Sequence, residues 1–323
     1  MGEHEGLVCA YALCKGGNRT LDWQQVRSWK PDDGYLWLHL DYADEPAQEW
    51  LREDSGLDTV TVDALLARDP RPRSFQVGDG LMIIIRGVNT NTPANPEDML
   101  ALRMWIDGQR IITTRHRYID ALNSLSADVK QGYCPSGTGD FFVELVDRVL
   151  DRIVLTVDDV DDQVDLLEDL VVADESAEIR RDLAALRRRA IGLRRHVSPQ
   201  RELFARLETE NVTWMGERHR IRLRECKERL LRIIEELDAA RDRAVVTQEE
   251  VVGRMSELLN RRLYALSIIS AIFLPLGFIT GILGVNVGGI PGSSAQWGFA
   301  ALCGGMVMLG VFQLWLFRRL GWF

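Results

Sequence analysis

The sequence predicts an α+β domain, then long helices, then a C-terminal hairpin of two membrane-spanning helices. Three observations support this. Residues 1–132 alternate short β-rich runs with helical stretches, and residues 133–262 carry apolar side chains at helical spacing. Residues 263–323 contain two long windows without any Asp, Glu, Lys, Arg or His before a basic tail. We therefore predict a cytoplasmic α/β domain, a helical domain with a stalk, and a transmembrane hairpin over these three ranges.

The elements of the first range follow from apolar runs and from turn residues. Asp107-Gly108 lies between two β-rich runs, which is a strong hairpin signal. The Pro-rich segment Asp69–Arg73 predicts a turn. Strands are predicted at Leu7–Leu13, Tyr35–Leu40, Leu81–Val88, Leu100–Ile106 and Arg110–Thr114. Helices are predicted at Pro46–Glu53, Thr59–Ala67 and Ile119–Lys130.

The second range predicts three long helices. An acidic helix and a basic helix are joined by the short Ala173–Glu175 turn, so they should pack antiparallel with their charges beside an apolar seam. Pro199 should kink the basic helix. The third helix should run from Glu217 to Leu283, roughly 100 Å at 1.5 Å per residue. The acidic helix carries a patch that either serves only this packing or attracts cations: Asp158, Asp159, Asp161, Asp162, Asp165, Glu168 and Asp169.

The two apolar windows are long enough to cross a membrane. Leu263–Leu283 and Trp297–Phe317 each have about the 20 residues that a spanning helix needs. The link between them, Gly284–Gln296, is uncharged. Paired arginines flank the hairpin, at 261–262 and 318–319, so the positive-inside rule places both chain ends in the cytoplasm and the link outside.

Composition excludes several classes of function. The net charge of −9 argues against nucleic-acid binding, which needs a basic face. The five cysteines are scattered, without a CxxC pair, and the five histidines show no metal-ligand spacing. No phosphate-binding loop, GxSxG or metal-hydrolase motif occurs, so an enzyme is the weakest hypothesis and no cofactor is expected.

One face of the first span carries small or weakly polar residues. Two spans cannot enclose a pore, so a channel requires several copies around an axis. A stripe of small residues is also typical of close helix packing, and this face alone leaves both interpretations open. As a pore lining, the face would consist of Asn260, Leu263, Ser267, Ser270, Leu274, Gly277 and Gly281.

The stripe continues into Gly284, Val285 and Asn286 at the end of the first span. A ring of amide oxygens here would accept hydrogen bonds from the water shell of a divalent cation and would still release it. The alternative is that Asn286 only caps the helix. Tight zinc sites use Cys and His, which the stripe lacks, so an ion would cross largely hydrated.

These features resemble the CorA superfamily of divalent-cation transporters. The Gly-x-Asn triplet ends the first of two C-terminal spans, Pro275 lies eleven residues before Asn286, and a basic-aromatic tail with Trp322 follows. Family magnesium channels usually have Gly-Met-Asn and an acidic residue in the outer loop, whereas this chain has Val285 and no such carboxylate. It is similar here to the ZntB branch, which is associated with zinc. Further segments carry that similarity: Trp37–Tyr42, Arg71–Arg73 and Trp214-Met215.

The resemblance implies a homopentameric funnel in the bacterial inner membrane, with the first spans lining the pore. The sequence thus predicts a zinc transporter whose partners are lipid and its own copies, with cadmium, nickel, cobalt and magnesium as alternative cargo. Proton-coupled uptake is favoured, and zinc efflux or a magnesium channel gated by cytosolic cation are alternatives. A membrane-anchored coiled-coil scaffold is the non-transport hypothesis.

Overall fold

The computed structural model describes residues 6–14, 17–91, 95, 97–173, 177–284 and 296–321, which form two units, Met1–Glu249 and Glu250–Phe323. The strands are β1 (Leu7–Cys14), β2 (Gly17–Thr20), β3 (Tyr35–Asp41), β4 (Arg73–Val77), β5 (Gly80–Gly87), β6 (Leu100–Ile106) and β7 (Arg110–Arg115). The helices are α1 (Trp23–Ser28), α2 (Glu45–Glu53), α3 (Thr59–Leu66), α4 (Asp120–Lys130), α5 (Thr138–Ala173), α6 (Ala177–Thr209), α7 (Glu217–Gly284) and α8 (Gly298–Arg319).

The seven strands form one sheet in the order β2-β1-β3-β7-β6-β5-β4. β3 and β7 pair in parallel, with Leu36 opposite Arg110, and the other neighbours are antiparallel. The predicted β6–β7 hairpin is confirmed, because Ile106 pairs with Ile111 across Asp107-Gly108. The carboxyl ends of β3 and β7 therefore meet at one edge of the sheet.

Each face of the sheet is covered by helices. On one face, Trp50 and Leu51 of α2 and Leu65 of α3 join an apolar core with the alternate residues of the central strands. On the other face, the ring of Trp37 in β3 meets Phe141 of α5 edge-on, with 4.7 Å between ring centroids. Because β5 is buried along its whole length, it reads as a continuous apolar run rather than as an alternating strand.

All five predicted strands and all three predicted helices of this domain are found, with ends that move by a residue or two. Sequence analysis missed β2, β4 and α1. β2 is four residues of mostly exposed backbone, and β4 is half-exposed, so neither shows a buried apolar pattern. The predicted turn Asp69–Arg73 is one residue too long, since Arg73 already pairs with Ile84 in β4.

The long helices agree with the prediction in their extent. α7 continues one residue beyond the predicted Leu283 and ends at Gly284. α6 continues through Pro199 as one helix, and the kink expected there stays a prediction. Pro199 is exposed, and the buried neighbours Val197 and Gln200 hold the helix on the domain. Ala173 closes α5, and the rest of the predicted Ala173–Glu175 turn lies outside the described residues.

Candidate functional site

The second unit consists of the end of α7 together with α8. Both helices are long and apolar enough to cross a membrane, and almost none of the most apolar 18-residue window of each is buried among the described residues. Phe273 and Leu274 are 66% and 77% exposed, and Phe299 of α8 is 79% exposed. Such surface requires lipid or further protein around it.

The predicted pore-lining residues all lie in α7 and are all exposed. A second set of α7 residues is half-covered: Ile268, Ala271, Ile272, Pro275, Leu276 and Ile279. At 3.6 residues per turn, the two sets point about 140° apart around the helix. The carbonyl oxygen of Ala271 on the half-covered face accepts a hydrogen bond from Gln313 of α8, so the predicted stripe faces away from the partner helix of its own chain.

The stripe offers hydrogen-bond acceptors but no charge. The Ser267 hydroxyl donates to the carbonyl oxygen of Leu263 at 2.8 Å. Its oxygen keeps acceptor capacity toward the exposed side. Beside the stripe, the Thr280 hydroxyl likewise donates to Leu276 and Gly277 carbonyls at 3.1 and 3.0 Å. Hydroxyl oxygens held in this way suit the outward-pointing hydrogens of a hydrated cation.

A proline and a glutamine join the two spans, a pairing that sequence analysis missed. Pro275 lies inside α7 and has no N–H, so the carbonyl of Ala271, four residues earlier, loses its helical partner. The Gln313 side-chain amide donates to this oxygen at 3.3 Å. The signal was present in the sequence as a proline in one span and an uncharged polar residue in the other.

This pairing predicts a coupling between the two positions. Replacing Gln313 with leucine should cost stability while Pro275 is present, and less after Pro275→Ala, because alanine restores the N–H that satisfies Ala271. We expect a coupling energy of about 0.6–1.7 kcal/mol, the range for such bonds within membranes. A double-mutant cycle of unfolding in detergent measures it. Equal costs of Gln313→Leu in both backgrounds would show that the carbonyl does not need the amide.

Gly284 is the last residue of α7 and is exposed. Apart from the backbone of α7 itself, a Cβ at Gly277, Gly281 or Gly284 would meet no atom of the described residues within 4 Å. Val285, Asn286 and the rest of the link as far as residue 295 lie outside the described residues. The selectivity assignment therefore stays a prediction, anchored by the position of Gly284.

The acidic patch of α5 is largely paired with arginine. Arg243 of α7 contacts carboxylates of Asp161, Asp165 and Glu168, and Arg189 of α6 contacts Asp159 at 2.8 Å. The α5–α6 ion pair agrees with the predicted charge arrangement, but the contribution of α7 was not foreseen.

Negative potential nevertheless persists beside the patch. The pKa of Glu236 on α7 is raised, first by partial burial and then by the nearby carboxylates of Asp158 and Asp161. Asp162 and Asp169 are exposed.

The described histidines and cysteines are not gathered into a metal site. Within the described residues, no group of three or more His, Cys, Asp and Glu side chains could hold a metal ion. His39 is buried beside Thr113, and burial lowers its pKa to about 3. The thiol of Cys226 lies 3.1 Å from a carboxylate oxygen of Asp147, and burial raises the pKa of that thiol. Cys303 is exposed on α8.

Comparisons with known proteins cover nearly the whole chain. Residues 32–319 match the family described as CorA, CorA-like Mg²⁺ transporter protein. The divalent cation transporter CmaX of Pseudomonas aeruginosa is 39% identical over 326 residues, which cover 99% of this chain and 98% of the relative. The zinc transport protein ZntB of Yersinia pseudotuberculosis serotype O:1b is 36% identical over 317 residues, covering 98% of this chain and 95% of the relative.

Solved structures give the same result for the fold. The structure of the full-length CmaX protein matches with a TM-score of 0.85 and 38% identity, covering 99% of each chain. The complete structure of the CorA magnesium transporter from Methanocaldococcus jannaschii matches with a TM-score of 0.84 over 98% of each chain. The latter is 17% identical, so it bears on the fold alone.

Proposed function

The chain belongs to the CorA family of divalent-cation transporters, and on this basis we propose that it conducts zinc through a pore formed by several copies. The observation that carries the proposal is the uncharged, exposed stripe of α7, which faces away from α8. A family transporter with two spans per chain needs copies around an axis. This stripe is an exposed face of mostly small or weakly polar residues, which suits a pore lining better than the exposed aromatic residues Phe273 and Phe278 do. Five copies are the number that the family resemblance implies.

Zinc as the cargo rests on the residues after α7 and on the relatives. Gly284, Val285 and Asn286 replace the Gly-Met-Asn of magnesium channels, and the link carries no carboxylate. ZntB, at 36% identity over nearly the full length, is named for zinc. We assign the selection of ions to a ring of Asn286 amides, with the stripe below it passing a hydrated ion. The exposed carboxylates of the acidic patch, including Asp158 beside Glu236 and Asp162, would raise the local cation concentration in the cytoplasmic part.

Uptake is the proposed direction. An inside-negative potential favours cation entry by about 2.3 kcal/mol per charge per 100 mV. Neither span contains Asp, Glu, Lys, Arg or His, so a conventional carboxylate or imidazole proton relay is absent from Leu263–Leu283 and Trp297–Phe317. Any coupling to protons should therefore survive every single substitution within the two spans that leaves zinc movement intact.

Metal flux into liposomes tests the proposal directly. Purified protein should carry zinc faster than magnesium, cobalt, nickel or cadmium, and an inward proton gradient should raise the zinc rate. Protein-free liposomes provide the background. A rate for magnesium above that for zinc would favour the magnesium channel instead, and the absence of flux for all five ions would favour the scaffold hypothesis.

The proposed topology predicts which positions react from outside the cell. A cysteine introduced by Ser293→Cys in the link should react with a membrane-impermeant maleimide on intact spheroplasts, whereas Ser256→Cys should react only after the membrane is opened. Ser256 is exposed in the structure. A failure of the cysteine at this position to react in intact spheroplasts would therefore show that it lies on the inner side of the membrane, and not that it is buried. Outer labelling at Ser256→Cys, or at the native Cys134, would overturn the topology.

A further inference from the structure

The first unit contains a cleft at the carboxyl ends of its parallel strand pair. Tyr42 directly follows β3, and His116 and Arg117 directly follow β7. These residues line a cavity of about 240 Å³ together with Arg68, Asp69, Arg86 and Arg103. In sheets flanked by helices, the crevice beyond the carboxyl ends of parallel strands is where ligands commonly bind.

The cleft has an excess of positive charge. Among the described residues that line it, Arg68, Arg86, Arg103 and Arg117 face one carboxylate, that of Asp69. The Asp69 side chain is 82% exposed and ion-pairs with Arg86, which itself is 7% exposed. The Arg86 guanidinium also donates to the carbonyls of Met99 and Pro70. Its Nε is buried without a hydrogen-bond partner in the described part of the chain.

Arg103 is the more unusual of the two buried arginines. It is 2% exposed and donates to backbone carbonyls of Ala67, Arg68 and Ala101 at 2.7–3.0 Å. Its guanidinium lies 4.7 Å from the ring centroid of Tyr42. No carboxylate among the described residues lies within ion-pairing distance of Arg103, and burial, with Arg86 nearby, lowers its pKa. The nearby carboxylate of Asp69 is ion-paired with Arg86 instead. A buried charge without its own ion pair is costly, and a bound anion would reduce that cost.

A purely structural role, in which the buried arginines hold neighbouring loops in place, explains only part of this arginine cluster. The backbone contacts of Arg86 and Arg103 hold residues 67–70 and 99–101 in place, but Arg68 and Arg117 are exposed and add charge that such a role does not need. The cavity also opens into a neighbouring one. A second cavity of about 530 Å³ shares Tyr42, Arg68 and His116 with the first and adds Arg52 and Gln48.

We propose that this cleft binds a phosphate-bearing small molecule. The phosphate would lie among Arg68, Arg86, Arg103 and Arg117, because guanidinium groups bind phosphate oxygens through paired hydrogen bonds. The organic part would occupy the adjoining cavity beside Tyr42 and His116, whose rings are 5.6 Å apart. The site would give the cytoplasmic part a small-molecule ligand in addition to the transported ion.

Calorimetric titration of the purified full-length protein tests the site without any transport measurement. The probes are AMP, inorganic phosphate and adenosine, each in a buffer of the same ionic strength made up with potassium chloride. AMP should bind and adenosine should not. Tighter binding of AMP than of phosphate indicates that the ligand is an organic phosphate. Equal binding of the two indicates that the ligand is free phosphate. Both outcomes support a site that binds phosphate groups.

Two variants locate the binding. Arg68→Ser and Arg117→Ser remove exposed side chains, and each should weaken AMP or phosphate binding about tenfold, as expected for the loss of a charge-assisted contact. Arg19→Ser removes an equally exposed arginine from β2, where it pairs with Asp33, and should leave binding unchanged. Thermal unfolding checks that all three variants fold. No heat with either phosphate probe, or equal affinity in all variants, would overturn the proposal.

Discussion

Replacing Asn286 with alanine is expected to abolish zinc flux, or to reduce it sharply, while the protein still inserts and assembles. Asn286 lies two residues beyond Gly284, the last residue of α7. One amide per copy would form a ring of oxygens that accept hydrogen bonds from the water shell of an arriving cation. Because the link contains no charged side chain, little else there can attract a divalent ion.

Glycine and aspartate at the same position separate ion selection from helix capping. At the C-terminal end of a helix, glycine is the usual capping residue and asparagine an occasional one, so glycine replaces a capping asparagine at little cost. Asn286→Gly should therefore be nearly harmless if capping is the role, and as damaging as alanine if the amide selects ions. Asn286→Asp would add a ring of charge, so it should bind divalent cations more tightly and release them more slowly.

The measurement is zinc uptake into liposomes, with the oligomeric state of each variant checked by size-exclusion chromatography. Ser294→Ala in the same link provides a matched control, and it should keep normal flux. Normal zinc flux through a correctly assembled Asn286→Gly variant would refute the assignment of selectivity to this residue.

The fold could be predicted from the sequence wherever burial imposes a pattern. β5 and β6 are almost entirely buried and appear as apolar runs, and the Asp107-Gly108 turn gives the register of the hairpin between β6 and β7. β2 and β4 lie at the two edges of the sheet and are mostly exposed. Their strand conformation comes from pairing with β1 and β5. The local sequence of β2 and β4 gives no sign of this pairing.

The candidate site was predictable in its periodic part and not in its long-range contacts. Helical spacing is enough to place Ser267, Leu274 and Gly281 on one face, and the structure leaves that face exposed. The bond from Gln313 to Ala271 joins positions 42 residues apart. The arginine cleft likewise depends on which strands lie side by side, and periodicity within one segment does not give that information.

Gly277→Leu and Gly281→Leu are each expected to remove zinc flux. In the part of the chain that the structure describes, a Cβ at either position meets no atom outside the backbone of α7 within 4 Å, so leucine should not disturb the hairpin itself. Both positions face away from α8, where the proposed pore or a neighbouring copy would lie. There, each added side chain would repeat in every subunit around a narrow axis, and it would either fill the lumen or push the helices apart.

Gly304→Leu on α8 is the matched control for these two variants. Its Cβ position is also open, and it lies on the helix that we place on the outer, lipid-facing ring, so its flux should remain close to normal. Flux and oligomeric state distinguish the two causes of loss, because a blocked pore leaves the assembly intact and a splayed ring does not. Wild-type flux in both Gly277→Leu and Gly281→Leu would show that this face of α7 does not line the pore.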